Sequence, residues 1–185
     1  MRKLFCFQMV SLDGCFEGPR HDLSWHNVDR EFNVFALRQL NGVGTLLLGR
    51  KTYELFAGYW PVHTPKRGSD DARIAARMNA VPKVVVSRTL RKARWGPARI
   101  VRTNLAREIA ALRKEPGKDI AVFGSSRLCV SLLEKGLIDE LRIILNPVLV
   151  GGGTPLFDGL KKKASFTLLR TKKFASGNVL LTCRP

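Results

Sequence analysis

Leu4 to Val10 is apolar on both of its alternating faces, the pattern of a central strand covered by helices on each side. A Gly-, Asp- and Pro-rich stretch from Leu12 to His26 predicts a long loop. Val28, Phe32, Phe35 and Leu40 recur near helical spacing up to Asn41-Gly42, which predicts a helix and its stop. Thr45 to Leu48 predicts a short strand and Arg50 to Ala57 a second helix. Pro61, Pro65 and Gly68 mark Gly58 to Ser69 as a loop, Asp70 to Ala80 reads as helical, and Pro82 opens a strand from Lys83 to Ser87.

A short strand is expected near Arg99 to Val101, and Leu105, Ile109 and Leu112 mark a helix that stops at Pro116-Gly117. Strand Asp119 to Phe123 then runs through a glycine turn into a helix from Ser125 to Lys135. Ile138 to Val150 is a long β-type run with Pro147 inside, which predicts an edge strand or a bulge at that point. Phe166 to Phe174 and Val179 to Cys183 read as a hairpin turning at Ser176-Gly177-Asn178. Strands alternating with helices and followed by a run of strands predict an α/β fold, a mainly parallel sheet with helices on both faces and an antiparallel C-terminal edge.

The chain has 185 residues, 45% of them hydrophobic and 25% charged, which predicts one globular domain over residues 1–185. No internal repeat or low-complexity tract divides it. No apolar run reaches the roughly 18 residues of a membrane helix, so no membrane role is expected. Cys6, Cys15, Cys129 and Cys183 show no CxxC or Cys/His spacing, and His21, His26 and His63 show no metal spacing; reduced thiols in a cytoplasm are expected, with no metal. Arg2-Lys3, the apolar run and Leu12-Asp13-Gly14-Cys15 trace the outline of a bacterial lipoprotein signal, but Gln8 and Asp13 break it and the stretch reads better as a buried strand.

Lys and Arg exceed Asp and Glu to give a net charge of +17, which favours an anionic partner: nucleic acid, a phosphorylated substrate or a phosphate-bearing cofactor. Gly44 to Thr52 has glycines at the spacing of a phosphate loop, but Arg50 stands where that motif needs Lys and the spacer is a strand, which excludes a nucleotide triphosphatase. Gly49-Arg50-Lys51-Thr52 nevertheless places free amides, a hydroxyl and two cations where a strand opens into a helix. Ser87-Arg88 ends another strand, with Arg91, Lys92 and Arg94 close behind, and Gly124-Ser125-Ser126 ends a third. The competing readings are a capped helix, a solvated basic loop and a plain N-cap respectively. Three anion-ready strand ends on one parallel sheet point together to a dinucleotide, although the GxGxxG fingerprint is missing.

Ser11-Leu12-Asp13-Gly14, Leu48-Gly49-Arg50-Lys51-Thr52-Tyr53-Glu54, Val86-Ser87-Arg88, Gly124-Ser125-Ser126, Ile138-Asp139-Glu140-Leu141, Pro147 and Gly151-Gly152-Gly153-Thr154-Pro155-Leu156-Phe157 resemble the dihydrofolate-reductase-like proteins related to the C-terminal reductase domain of riboflavin biosynthesis. The resemblance spans essentially the whole chain. It implies a dihydrofolate-reductase-like fold, NADPH-dependent reduction and a homodimer. It implies that Arg50 and Thr52 contact the adenosine phosphate, that Ser87 and Arg88 lie beside the ribose 2′-phosphate, and that Gly124, Ser125 and Ser126 form the pyrophosphate turn, with Gly49 opening the site. The substrate-site acid of dihydrofolate reductases has no counterpart here, and Gly49-Arg50-Lys51-Thr52 replaces the Gly-rich loop of the riboflavin reductases, so neither family's substrate carries over.

On the substrate side, Asp13, Trp25 and Phe32 are candidate binding residues and Asp29 the candidate proton donor, set at the start of the helix that carries Phe32 and Phe35. An Asp-Gly turn, a core tryptophan and a helix-start carboxylate are their ordinary alternatives. The expected activity is hydride transfer from NADPH to a small heterocyclic or carbonyl substrate. A noncatalytic module binding nucleotides or nucleic acid is the second reading; basic residues spread along the chain without interleaved aromatics argue against specific nucleic-acid binding.

Overall fold

The computed structural model describes residues 1–185. Strand β1 (Leu4–Ser11) shows how the sheet is covered, because its buried side chains divide by parity: Phe5 and Phe7 enter one core, Leu4 and Cys6 the other. The same division runs through β3 (Val43–Gly49), with Leu46 and Leu48 opposite Leu47, through β4 (Lys83–Val86), with Val85 opposite Val84, and through β6 (Asp119–Phe123), with Ala121 opposite Ile120 and Val122. Helices α1 (Arg30–Asn41), α2 (Arg50–Tyr59) and α3 (Asp70–Ala80) supply Phe32, Leu40, Tyr53, Ile74 and Met78 to the first core. Helices α4 (Leu105–Lys114) and α5 (Ser126–Glu134) supply Ile109, Leu112, Leu128 and Leu132 to the second. Each such fully buried side chain contributes about 1.5–3 kcal/mol.

With β5 (Ala98–Val101), β7 (Glu140–Asn146), β9 (Thr167–Lys173) and β10 (Val179–Arg184), the eight-stranded sheet has the order β5-β4-β3-β6-β1-β7-β10-β9. Strands β5 through β7 in that order are all parallel, and β10 and β9 close the sheet antiparallel. Their carboxyl ends therefore share one edge: Val86, Gly49, Phe123, Ser11 and Asn146. From β3 the chain moves outward to β4 and β5, whereas from β6 it crosses β1 to reach β7. Ligands of open α/β sheets lie beyond the strand ends where connections diverge in this way.

Three sequence expectations are corrected. Pro147 does not interrupt a strand: β7 stops at Asn146, since a proline lacks the N–H that a strand paired on both sides must donate. The Leu12–His26 loop contains a short strand, β2 (Cys15–Glu17), and a 3₁₀ turn at Pro19–His21. Strand β2 pairs antiparallel with β8 (Thr154–Pro155), which the sequence pattern did not mark. Their approach depends on Gly153, at φ +127°, where a Cβ would collide with the Glu17 carbonyl oxygen.

Candidate functional site

Helices α2 and α5 both begin at the carboxyl edge of the sheet, and neither has a side-chain N-cap. Ser125 occupies the cap position of α5, but its hydroxyl accepts instead from the backbone N–H of Gly49 at 3.0 Å, tying the end of β3 to the turn after β6. Gly124 and Ser125 both adopt left-handed backbone, at φ +63° and +59°. At Gly124 a Cβ would stand 3.3 Å from the Thr52 methyl, so the glycine brings the turn against α2. Buried Gln8 fixes that turn by donating from Nε2 to the Gly124 carbonyl at 2.7 Å. Two uncapped helix N-termini, side by side, present unsatisfied N–H groups and the positive ends of two helix dipoles.

The basic candidates divide in the structure. Arg50 lies along α2, its Nη1 donating to both carboxylate oxygens of Glu54 at 3.3 and 3.1 Å, so this exposed pair shares its charge with the helix surface. Arg88 is exposed, and its side chain makes no hydrogen bond or ion pair within the chain. Its carbonyl is held by Arg102 Nη1 at 3.1 Å, which fixes the loop. Ser87 is buried, and its hydroxyl accepts from the N–H groups of Thr89 and Leu90 at 3.1 and 2.9 Å. That hydroxyl is engaged in shaping the loop, whereas the Arg88 guanidinium stays exposed and unpaired.

On the other side of β1, Asp13 is engaged as a latch. Its carboxylate accepts from the Ser11 hydroxyl at 2.5 Å and from the N–H groups of Val150 and Gly151 at 3.2 and 3.0 Å. The Ser11 hydrogen bond, with those of the two amides, holds the Asp13 carboxyl below the usual range. Phe32 is a core residue, 8% exposed and packed on Phe35, which corrects its reading as a substrate wall: the first turn of α1 directs it at the sheet. Asp29 is the N-cap of α1, accepting from the Phe32 N–H through Oδ1 at 2.7 Å, while its Oδ2 has no partner in the chain.

Trp25 lines a cleft of about 330 Å³ together with Ser24, His26, Asn27 and the Asn146–Val148 segment at the end of β7. Its indole N–H donates to the Asp22 carbonyl at 3.0 Å, and the His26 ring stands nearly perpendicular to it, centroids 4.5 Å apart. Burial lowers the His26 pKa to about 4, so the imidazole is neutral near pH 7. A larger hollow, about 400 Å³, lies at the opposite edge of the sheet between Arg2 and the Arg113–Gly117 turn, away from every parallel strand's carboxyl end.

This arrangement has known counterparts. A family model for the RibD C-terminal domain matches residues 2–180. The chain belongs to that family. A relative, the uncharacterized protein YyaP of Bacillus subtilis (strain 168), is 31% identical over 180 residues, covering 96% of this chain and 92% of that protein. A solved structure from Shewanella sp. PV-4, of a protein assigned to riboflavin biosynthesis, matches with a TM-score of 0.74 at 25% identity, covering 98% of each chain. The diaminohydroxyphosphoribosylaminopyrimidine deaminase/5-amino-6-(5-phosphoribosylamino)uracil reductase of Thermotoga maritima shares the fold, with a TM-score of 0.72 at 15% identity; this chain is covered fully and spans 56% of that one. The RibD C-terminal domain is thus the reductase-type fold that the sequence motifs resembled. No helix of the structure is long and apolar enough to cross a membrane, and no group of His, Cys, Asp and Glu is placed to hold a metal ion.

Sequence reasoning missed Gln8, Asn27, Asn146 and Asn178, which shape the loops around these strand ends. Buried Asn146 donates through Nδ2 to the Val10 carbonyl at 3.2 Å and accepts from the Asn27 N–H at 3.1 Å. Asn27 in turn donates through Nδ2 to the Ser176 carbonyl at 2.9 Å, and its own carbonyl accepts from Asn178 Nδ2 at 2.8 Å. A polar residue within an otherwise apolar strand, as at Gln8, was the one available signal; the asparagines are joined only by the fold.

Proposed function

We propose that the protein is an NADPH-dependent reductase of a small heterocyclic or carbonyl substrate. The observation that carries this reading is the Ser125–Gly49 hydrogen bond, which sets two uncapped helix N-termini beside each other at the strand ends of a reductase-family fold. The uncapped N–H groups of that double terminus suit a pyrophosphate, and Gly124 leaves room beside Thr52 that a side chain would fill. Thr52, Gly124, Ser125 and Ser126 would hold the diphosphate, Gly49, its N–H given to Ser125, would bring the start of α2 close to it, and Arg50 and Arg88 would take the adenosine-side phosphate. When bound, NADPH supplies a hydride.

The chain's own residues orient and desolvate. The β1–α1 loop carrying Trp25 covers the end of β7 and keeps a flat wall over the cleft, with Asp13 anchoring the neighbouring Gly151–Gly153 turn. Asp29, two residues beyond Asn27, caps α1 with one oxygen and keeps the other for a substrate proton or N–H. The same reading takes the chain as a cytoplasmic enzyme, its four cysteines being unpaired thiols. It also takes it as a homodimer, for which the open edge strand β9, with Leu168 and Leu169 exposed, offers a surface. Sedimentation as a monomer at micromolar concentration removes the dimer.

The test is a screen of NADPH oxidation with pterin, dihydrofolate, pyrimidine and quinone acceptors, run beside calorimetric titration with NADPH. Cofactor binding together with turnover of at least one acceptor is the expected outcome. Absence of NADPH binding overturns the reading.

A further inference from the structure

The chain carries no Asp or Glu between Asp71 and Glu108, yet ten Lys and Arg fall in that stretch. Half of them are engaged within the protein: Arg73 pairs with Asp70 and Arg99 with Glu108, Arg77 donates to the Val43 carbonyl, Lys83 to the Asn79 carbonyl, and Arg102 to the carbonyls of Arg88 and Leu90. Arg88, Arg91, Lys92, Arg94 and Arg107 are exposed, and their side chains have no hydrogen bond or ion pair within the chain. The cofactor reading uses Arg88. It leaves the other four without a role, and the neighbouring carboxylate, Glu108, is taken by Arg99.

The fold gathers these cations around one edge of the sheet. The β4–β5 connection runs from Ser87, whose N–H donates to the Val101 carbonyl, back to Pro97, whose carbonyl accepts from the Lys83 N–H. It therefore retraces the length of β4, about 13 Å, packing Leu90, Ala93 and Trp95 on the first core and turning Arg91, Lys92 and Arg94 to solvent. Arg102 pins the start of this loop at 3.1 and 3.0 Å with its charge unneutralised. The Arg99–Glu108 pair sets the first turn of α4, which holds Arg107, beside edge strand β5 on the other face. Arg107 also opposes the dipole of its own helix, a cost that a bound anion offsets.

The chemistry of the surface selects its occupant. Between Val62 and Leu149 no large apolar side chain is exposed, so the surface has no anchor for a bilayer or for the apolar centre of a protein interface. Trp95 is buried, and no exposed ring is present for a base to stack on. Four arginines to one lysine favour phosphate, whose oxygens match the guanidinium fork. Five cations spread over such a length and around an edge exceed what one phosphate or diphosphate neutralises, and suit a row of phosphodiesters.

We propose that Arg91, Lys92, Arg94, Arg102 and Arg107 form a docking surface for the phosphate backbone of a polynucleotide, bound without regard to base sequence. This surface is separate from the reductase reading and needs neither NADPH nor a substrate.

The experiment measures fluorescence anisotropy of labelled duplex DNA and duplex RNA over a range of salt concentrations, with anionic phospholipid vesicles as a parallel arm. Saturable binding is expected, equal for scrambled sequences and falling steeply with salt at a slope of about 0.9 per phosphate contacted. The double variant Arg91→Glu/Lys92→Glu keeps the wild-type melting temperature, binds about tenfold or more weakly and has a slope shallower by about 2. Lys162→Glu/Lys163→Glu, the same charge change in the segment before the opposite edge strand β9, leaves affinity within about twofold. Equal losses in the two double variants overturn the proposal, because net charge alone then drives binding. Strong preference for one sequence, or binding to vesicles and to neither duplex, overturns it as well. Duplex binding survives saturating NADPH; complete displacement puts the duplex on the cofactor's groups and overturns the separate surface. Duplex binding by a protein that does not bind NADPH removes the reductase reading and supports this one.

Discussion

The backbone N–H of Gly49 donates to the hydroxyl of Ser125, a residue 76 positions further along the chain. This one bond closes two sheet connections onto each other and sets the spacing of two helix N-termini. Ser125 holds a left-handed conformation to make it, a cost of about 1–3 kcal/mol that the surrounding turn must offset.

Ser125→Ala removes the acceptor and leaves the Gly49 amide unpaired. The expected outcome is a loss of about 1–3 kcal/mol in denaturant unfolding and NADPH affinity lower by about tenfold or more in calorimetry. Ser125→Gly, which accepts the left-handed backbone freely, recovers part of the stability and none of the affinity.

Arg88 is expected to select NADPH over NADH, because its guanidinium is free to take the 2′-phosphate, the group that distinguishes the two. Arg88→Ala reduces the ratio of NADH to NADPH dissociation constants by about tenfold to a hundredfold, the value of a charge-assisted pair of about 1.5–3 kcal/mol. Equal affinities of the wild-type protein for both cofactors contradict this assignment.

Asp29→Asn separates capping from chemistry, since asparagine caps a helix as well as aspartate does. Stability stays within a few tenths of a kcal/mol, and kcat/KM with an active acceptor falls about a hundredfold with NADPH affinity unchanged. Full activity in this variant assigns the carboxylate to the cap alone.

Lys83, buried at the start of β4, donates to the Asn79 carbonyl at 2.7 Å and lies 4.1 Å from the Trp95 ring centroid. Burial lowers its pKa from 10.5 to about 8. Between those values the unfolded chain holds a proton that the folded protein has released, so this residue's contribution to stability rises as pH rises from about 8 to 10.5. Lys83→Met abolishes that increment in the difference between wild-type and variant unfolding curves.

Gly153→Ala places a Cβ against the Glu17 carbonyl at a φ of +127°. Loss of the β2–β8 pairing and a drop of more than about 2 kcal/mol in stability are expected, measured by thermal unfolding and by proteolysis of the Gly151–Gly153 turn.

The long elements were legible because burial on both faces of a central strand, or on one face of a helix, repeats over several residues, as in β1 and α1; the hairpin of β10 with the wholly exposed edge strand β9 was legible instead from its Ser176-Gly177-Asn178 turn. Strands β2 and β8 have three and two residues, too few to show a period, and exist through a close backbone approach that only the fold creates. At the site, the strand-end glycines and serines were visible as local motifs. How their atoms are used was not: Ser125 reads as an N-cap and bonds across the sheet, Ser87 reads as a ligand contact and closes its own loop, and Phe32 reads as a wall and fills the core. The Asn27 cluster depends on partners some 150 residues away, beyond any local signal.

That separation bears on the order in which the protein is completed during synthesis. The groups assigned to the cofactor all precede Arg127, so a nascent chain can assemble the paired helix ends once α5 has emerged. The loop carrying Trp25 waits longer: Asn27 is tied to Ser176 and Asn178, and Glu31 to the Ala175 N–H at 2.8 Å and to Lys172 at 2.7 Å. Until the β9–β10 hairpin folds back, Asn27 and Glu31 lack these partners, so the loop that carries Trp25 is fully fixed beside the cleft only once the last two strands have formed.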